Sequence, residues 1–289
     1  MHIDLSQVNL PSSAFKESHG YFVRDGKRLF RVKYLPQGEV QACLILCSPF
    51  AEEKVRTQRI CVSWARTLAS LGVGAVCFDY YGDGDSEGDF EEARFEDRLK
   101  DIRAVYNEAR KETGATIMAL CGFRWGATLA ALVAEELNPD FLVLWEPVVD
   151  SNKYFHDHLR SHLASQMLTE GKVVRNREQL LKDLGGGEIL SVEGYNLTGD
   201  FFFAASQAGL IGKQFVREGK TLIVQIAANP SRLRPELSAL QTSMKNSALI
   251  GVPREFQWEK TEVWQPAPPQ LFQTTLSFLE EHGFFRRVL

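Results

Sequence analysis

The stretch IMALCGFRWGATLAALVAEEL, residues 117–137, decides the fold. Its apolar beginning predicts a buried strand, which runs through GFRWG (122–126) directly into a helical run rich in alanine and leucine. A G-x-x-x-G turn between strand and helix is typical of a nucleophile elbow, where the glycines permit a sharp backbone turn and close approach of neighbouring elements. The central residue is Arg124. Because a guanidinium stays protonated and offers only donors, Arg124 is not a nucleophile.

Outward from this turn, short apolar runs alternate with helical patterns. Runs of this kind predict a parallel sheet covered by helices on both faces. The predicted elements are strands at 42–48, 73–80, 116–121, 141–146 and 220–227, a strand-like run at 255–264, and helices near 235–247 and 269–282. An Asp-Gly pair within 21–35 predicts a hairpin, so the mostly parallel central sheet is expected to begin with antiparallel strands.

The regular alternation stops near residue 150. Residues 150–213 contain a polar helical stretch, a Gly-Gly-Gly loop and the aromatic run Phe201-Phe202-Phe203. We expect this segment to be an inserted helical lid, with the core domain formed by 1–149 and 214–289. The aromatic run serves either to hold the lid on the core or to line an acyl pocket, and the sequence favours the first role.

Composition excludes several classes of protein. The chain has 289 residues, is 44% hydrophobic and carries a formal net charge of -4, which disfavours a binder of nucleic acid. No uninterrupted apolar run of membrane-spanning length and no leader pattern is found, so we expect a cytoplasmic protein without a membrane span. The 5 cysteines lack metal-site spacing and are expected to be free buried thiols, and no cofactor or metal is predicted.

Five short motifs together resemble a known family. They are PFAEE (49–53), GDGDSEGDF (82–90), GFRWGA (122–127), LWEPV (144–148) and EGYNL (193–197). This combination resembles the second type of hydrolase associated with the exosortase A system, a bacterial family encoded near exopolysaccharide and exosortase loci. The resemblance implies an α/β-hydrolase fold, an arginine at the elbow, and an exopolysaccharide or exosortase pathway protein as a partner. Glu146 departs from the family pattern, which implies an amide at that position.

The positions of a Ser-His-Asp triad are empty. In the α/β-hydrolase fold the nucleophile, the acid and the histidine follow in that chain order. The loop expected to carry the acid reads ANPS (228–231), and the loop expected to carry the histidine reads VWQP (263–266). Ser86 and Cys121 lie near the expected cleft, but we interpret both as structural residues. Acyl transfer by a Ser-His-Asp triad is therefore not expected, and whether the protein is an enzyme stays open.

The elbow still predicts an anion site. Arg124 lies at the N-terminus of its helix, where unpaired amides and the helix dipole favour negative charge, and its planar fork suits carboxylate or phosphate. The expected ligand-binding residues are Arg124, the amides of Trp125, Phe50 and Ala51, Arg160 on the lid as a second clamp, and Trp264 and Gln265. An equally weighted interpretation pairs Arg124 internally with Glu52, Glu53 or Glu146.

The sequence therefore leaves two functions open. The first is a non-catalytic protein that binds an anionic or acyl small molecule in the old active-site cleft. The second is a hydrolase with an atypical mechanism, in which Arg124 stabilises developing negative charge and Glu52, Glu53 or Glu146 activates water.

Overall fold

The computed structural model describes residues 14–170, 175–258 and 267–286, with a large sheet flanked by helices. Its strands are β1 (Phe15–Arg24), β2 (Lys27–Pro36), β3 (Ala42–Cys47), β4 (Gly74–Phe78), β5 (Ile117–Phe123), β6 (Phe141–Trp145), β7 (Leu190–Val192), β8 (Tyr195–Leu197), β9 (Lys220–Ala227) and β10 (Ser247–Pro253). Its helices are α1 (Ala51–Ser70), α2 (Phe95–Thr113), α3 (Trp125–Leu137), α4 (Ser151–Glu170), α5 (Arg177–Gly185), α6 (Gly199–Gln207), α7 (Pro235–Thr242) and α8 (Pro269–Glu281).

The main sheet has eight strands in the order β1-β2-β4-β3-β5-β6-β9-β10. The predicted hairpin is confirmed: β1 and β2 are antiparallel, and their turn residues Asp25 and Gly26 have φ of 50° and 80°, as a type I′ turn requires. β2 also runs antiparallel to β4, whereas the ladders from β4 to β10 are parallel. The carboxyl ends of the parallel strands therefore share one edge of the sheet, where the elbow lies.

Each face of the sheet carries its own hydrophobic core. Alternate residues of β3 divide between the two: Ile45 contributes to the core under α2, α3, α4 and α6, and Leu44 contributes to the core under α1 and α8. Burial on both faces explains why the strands are continuous apolar runs. None of the helices that the structure describes combines the length and apolarity needed to span a bilayer.

A separate group of elements lies between β6 and β9. This β6–β9 segment (residues 146–219) contains α4, α5, the two-stranded sheet β7-β8, and α6. Its α4 and α6 contact each other, and α6 also contacts α2 of the core. The segment thus covers one end of the sheet through α4 and α6.

One predicted strand, at 255–264, is wrong over the part that the structure describes. Residues 255–258 of the expected run at 255–264 are not a strand, and 259–264 lie outside the described residues. Among the described residues the last strand is β10, whose seven residues end directly before Arg254. The aromatic residues that suggested a strand instead pack in the core: Phe256 and Trp258 are buried with their rings against Phe123.

Candidate functional site

The elbow is a one-residue turn. β5 ends at Phe123 and α3 begins at Trp125, so Arg124 alone reverses the chain, with φ 54° and ψ -124°. A bulky residue in such a sparsely populated backbone region costs of order 1–3 kcal/mol. Hydrogen bonds hold the turn, because Arg124 N donates to Trp145 O at 2.9 Å and Arg124 O accepts from Ala127 N at 3.0 Å. The backbone geometry expected of a nucleophile elbow is present although the nucleophile is not.

The two glycines of the elbow are required by close backbone contacts. A Cβ on Gly122 would lie 2.3 Å from Ala127 Cα, inside the first turn of α3. A Cβ on Gly126 would lie 2.3 Å from the carbonyl oxygens of Cys47 and Ser48 at the end of β3. Both distances are far shorter than van der Waals contact, so only glycine lets α3 lie this close to the sheet.

The Arg124 side chain forms a buried network with Glu53 and Tyr154. Arg124 Nε donates to Glu53 Oε1 at 3.1 Å, and Tyr154 Oη donates to Glu53 Oε2 at 2.8 Å. The guanidinium lies 5.6 Å from the Tyr154 ring centre and 5.1 Å from that of Trp258. The side chain is 17% exposed, so the ion pair is only partly screened by water.

Protonation in this network follows from its contacts. Burial lowers the pKa of Arg124, but the combined influence of Glu53, Tyr154 and Glu146 outweighs burial and leaves that pKa above its ordinary value. Burial and the carboxylate of Glu53 raise the pKa of Tyr154 well above its ordinary value. Arg124 is therefore a permanent cation and Tyr154 a neutral hydroxyl donor at neutral pH.

A cleft of about 270 Å³ opens beside this network. We call it the elbow cleft. Its lining residues come from α1, the elbow, α4, the β7-β8 turn and the stretch after β10, and they are Glu53, Arg56, Arg124, Tyr154, Asp157, His158, Glu193 and Trp258. The cleft therefore lies between the end of the parallel sheet and the β6–β9 segment.

Of the three candidate carboxylates, Glu53 is the one that meets Arg124. Glu52 faces Arg56 on the same helix, with Arg56 Nη2 3.5 Å from Glu52 Oε2. Glu146 directly follows β6 with φ 47°, is 2% exposed, and accepts a hydrogen bond from Ile226 N at 2.7 Å. The other oxygen of Glu146 is bonded to Arg234, so this carboxylate joins β6 to β9.

Two predicted ligand-binding residues, Phe50 and Trp125, lie in an aromatic cluster, and Ala51 follows Phe50 at the start of α1. Phe50 contacts Trp125, Phe155 and Phe201, with ring centres 5.5, 5.2 and 5.7 Å away. Phe50, Trp125 and Ala51 are 7, 2 and 2% exposed. The cluster joins the elbow and the start of α1 to α4 and α6, so Phe201 holds the β6–β9 segment on the core.

The remaining candidates lie outside the elbow cleft or outside the described residues. Arg160 is on the exposed surface of α4, where its Nη1 is 3.0 Å from Asp157 Oδ1. Trp264 and Gln265 lie outside the described residues. His282, the last histidine of the chain, ends α8 with its Nδ1 2.9 Å from Phe278 O.

The two alternative nucleophiles have structural surroundings. Ser86 Oγ donates to Asp79 O at 2.6 Å and accepts from Phe30 N at 2.8 Å, which fixes its turn to β2. Cys121 is buried in β5, and burial raises the pKa of its thiol well above the ordinary value. Neither residue lines the elbow cleft.

Sequence reasoning missed six residues of the cleft wall: Arg56, Tyr154, Asp157, His158, Glu193 and Trp258. Tyr154 and His158 are four residues apart on α4, and this spacing places them on one helix face. Glu193 lies in the turn between β7 and β8 with φ 53°, and Trp258 follows β10 without regular structure. The sequence offered two signals, the Tyr154–His158 spacing and the presence of Glu193 in the EGYNL motif.

Comparison with known proteins agrees with this architecture. Residues 38–184, half of the chain, match the Hydrolase_4 family, described as serine aminopeptidase, S33. Est1E from Butyrivibrio proteoclasticus, solved with ferulic acid bound, superimposes with a TM-score of 0.69 at 20% identity, covering 91% of this chain and 98% of that one. A soluble variant of monoglyceride lipase from Saccharomyces cerevisiae, solved with a substrate analog, gives 0.64 at 14% identity, covering 94% and 97%.

At these identities the solved structures are evidence of the fold alone. No curated protein matches the chain in sequence. The expected fold is confirmed: a mostly parallel sheet with an N-terminal antiparallel hairpin and flanking helices. With the family match spanning β3, the elbow and β6, the chain belongs to the serine aminopeptidase S33 (Hydrolase_4) family and has the α/β-hydrolase fold.

Proposed function

We propose that this protein binds a small anionic molecule, a carboxylate above all, in the elbow cleft and does not turn it over. One observation carries the proposal: Glu53 holds Arg124 through Nε, and the guanidinium lines a cleft of about 270 Å³. Because Glu53 engages Nε, the terminal nitrogens of the fork are the donors that a ligand would meet. A charge-assisted hydrogen bond between a guanidinium and a carboxylate is stronger in a partly buried site than in water.

The aromatic cluster favours a compact anion over an acyl chain. Phe50, Trp125, Phe155 and Phe201 are all buried and in ring contact with one another. An acyl chain entering between the elbow and α6 would have to displace these rings. We infer that residues 150–213 act as a lid whose aromatic residues seal this side of the cleft.

The hydrolase alternative rests on Glu53. It is the one candidate carboxylate that lines the elbow cleft, and it lies beside a cation able to stabilise developing negative charge. Both of its oxygens accept hydrogen bonds, from Arg124 and from Tyr154. These two bonds tie Glu53 into the ion-pair network with Arg124, and we infer that binding is the better supported function.

The motif resemblance connects the proposed binding site to a class of pathway. PFAEE contributes Glu53, GFRWGA contributes Arg124 and EGYNL contributes Glu193, and these three residues line the same cleft. We infer that the resemblance to the exosortase-associated family concerns this cleft, and that its ligand belongs to an exopolysaccharide or exosortase pathway.

Thermal unfolding in the presence of small carboxylates tests the proposal. A carboxylate at about 100 times its Kd should stabilise the folded protein by roughly 2.7 kcal/mol. Arg124→Gln should abolish this shift. Arg103→Gln should retain it, since Arg103 pairs with Glu136 at 2.7 Å on the exposed side of α2. Binding that survives Arg124→Gln, or the failure of every carboxylate to bind, would refute the proposal.

A p-nitrophenyl ester assay separates the two functions. The binding function predicts no turnover above the uncatalysed rate for the wild type. Turnover that is lost in both Arg124→Gln and Glu53→Gln, and kept in Arg103→Gln, would instead establish the hydrolase function.

A further inference from the structure

Arg98 of α2 is a buried cation whose donors are unpaired. Its side chain is 2% exposed, and among the described residues Nε, Nη1 and Nη2 have no hydrogen-bond partner. Three aromatic rings lie around the guanidinium, those of Tyr80, Phe90 and Phe201, with centres 5.0, 5.3 and 5.7 Å from its carbon. Cation–π attraction compensates for part of the lost hydration. Ring faces are weak acceptors, however, so the N–H groups lack the partners they would have in water.

The carboxylates near Arg98 are bonded to other groups. Asp83 Oδ2 lies 3.9 Å from Arg98 Nη1, beyond hydrogen-bonding distance, and Asp83 Oδ1 pairs with Lys54 Nζ at 3.1 Å. Asp101, one turn further along α2, accepts a hydrogen bond from Arg24 Nε at 2.8 Å. The two aspartates stabilise the charge of Arg98 at a distance, but they leave its donors available for another acceptor.

Phe201 of α6 covers Arg98 and belongs to the aromatic cluster. Its ring also lies 5.9 Å from that of Trp125, whose indole Nε1 is buried and likewise has no hydrogen-bond partner among the described residues. No hydrogen bond joins α6 to the core elements in the part of the chain that the structure describes. Apolar contacts alone therefore hold α6 over two side chains whose donors would gain partners if α6 moved away.

Movement of α6 would uncover a site with a definite chemistry. The rings of Phe90 and Trp125 lie 5.7 and 5.5 Å from that of Phe50, and Phe90 also contacts the Arg98 guanidinium. A guanidinium presents its donors in one plane, in a geometry that matches the oxygens of a carboxylate, a sulfonate or a phosphate. The rings gain from contact with an apolar body. The uncovered surface thus suits a molecule that has both features.

We propose that Arg98 and the rings around it form a second ligand site for an apolar molecule that carries one oxyanion group. Phe201 closes this site in the present structure, and movement of α6 opens it. The site is separate from the elbow cleft, whose lining residues include neither Arg98 nor Phe201. The ligand stabilises the open arrangement because it binds only there. This inference does not depend on the function proposed for the elbow cleft.

Fluorescence titration with a matched pair of probes tests the inference. Anilinonaphthalene sulfonate carries one sulfonate, and N-phenylnaphthylamine is the same ring system without it. We expect Arg98→Met to weaken binding of the sulfonate by about tenfold or more and to leave the affinity for the neutral probe unchanged. Arg103→Met is the matched control on the same helix, since Arg103 pairs with Glu136 at 2.7 Å, and it should bind both probes like the wild type.

Amide hydrogen exchange tests the movement of α6. The sulfonate should speed exchange in α6 of the wild type, since it binds the open arrangement. Without the probe, Arg98→Met should slow this exchange, because methionine packs among the rings and has no unpaired donors. Phe201→Ala should speed it and tighten the binding of both probes. Phe203→Ala, at a ring of α6 that is 39% exposed, should change neither property.

Several results would overturn the inference. They are equal affinity of the wild type and Arg98→Met for the sulfonate, failure of the wild type to bind it, and faster α6 exchange in Arg98→Met. Sulfonate binding that is lost in Arg124→Gln and kept in Arg98→Met would also overturn it, by assigning the anion to the elbow cleft, and would leave the proposed function intact. Should Arg98→Met fold poorly, the wild type decides: α6 exchange that the sulfonate does not speed would overturn the inference.

Discussion

At the scale of single residues, helical phase decides which carboxylate meets Arg124. Glu52 and Glu53 are adjacent in the first turn of α1, so their side chains point about 100° apart around the helix. Glu53 is turned toward the elbow and is 7% exposed, while Glu52 faces Arg56. The sequence predicted the turn and its arginine from the glycine spacing, but it left three partners open. Choosing between Glu52 and Glu53 requires the exact start of α1, and excluding Glu146 requires its pairing with Arg234.

Gly126→Ala tests how tightly the elbow is built. Alanine favours a helix over glycine by about 1 kcal/mol, so helix propensity alone would predict that the substitution stabilises the protein. The new Cβ would lie 2.3 Å from the carbonyl oxygens of Cys47 and Ser48, which are backbone atoms that move only with β3. We expect a loss of about 3 kcal/mol in the free energy of unfolding, measured by urea denaturation.

Gly20→Ala is the control for this substitution, because a Cβ on Gly20 would meet nothing within 4 Å. We expect it to change stability by less than about 0.5 kcal/mol. Equal stability of the Gly126→Ala protein and the wild type would show that the elbow is looser than its backbone contacts indicate.

At the scale of elements, the apolar runs of the sequence predicted the strands that are buried on both faces. They did not predict β10, the strand at one edge of the sheet. β10 reads SALIGVP and has mostly half-buried side chains, so it lacks the continuous apolar run that marks β3 or β6. The aromatic residues after it suggested a strand but are used for tertiary packing. The pairing of α4 with α1 through Tyr154 and Glu53 joins residues 101 positions apart, and no local pattern reports it.

Tyr154→Phe tests that pairing. The substitution keeps the ring between Phe155 and His158 and removes only the hydroxyl that donates to Glu53 Oε2. A buried carboxylate oxygen that loses its donor costs about 1–3 kcal/mol. We expect a loss of stability in that range and faster amide hydrogen exchange in α4 and α6.

The matched control is Tyr21→Phe, at a tyrosine that is 54% exposed. Its exchange pattern should equal that of the wild type. Unchanged exchange in α4 of the Tyr154→Phe protein would mean that the aromatic cluster alone holds the β6–β9 segment on the core.

At the scale of the whole molecule, ion pairs fasten the N-terminal hairpin to α2. Arg24 bridges Asp97 and Asp101 at 3.0 and 2.7 Å, and Arg31 and Lys33 both reach Glu112. The hairpin turn was predictable from Asp-Gly, but its attachment was not, because these partners are about 70 to 80 residues away in the chain. The hairpin shields β4, which would otherwise be the edge of the parallel sheet.

The attachment of the hairpin predicts acid sensitivity with a definite sign. Partial burial raises the pKa of Glu112, but the hydrogen bonds and positive charges of Arg31 and Lys33 together outweigh it and hold that pKa below the ordinary 4.5. A carboxyl group with a lowered folded-state pKa stabilises the fold above its unfolded pKa. That contribution is lost as pH falls through the folded pKa. Burial raises the pKa of Asp101, so that residue acts in the opposite direction and is not the one to test.

Glu112→Gln should therefore cost stability at neutral pH and cost little in acid. We expect a difference from the wild type of about 1 kcal/mol or less near pH 7, since the pair is partly exposed. It should shrink from about pH 5 downward as the wild-type carboxylate is protonated. Urea unfolding of both proteins across this range measures the difference, with Glu39→Gln, at an exposed carboxylate of the loop between β2 and β3, as the control. A constant difference at every pH would mean that Glu112 acts through packing rather than through its charge, and the hairpin would then be held by Arg24 and its two aspartates.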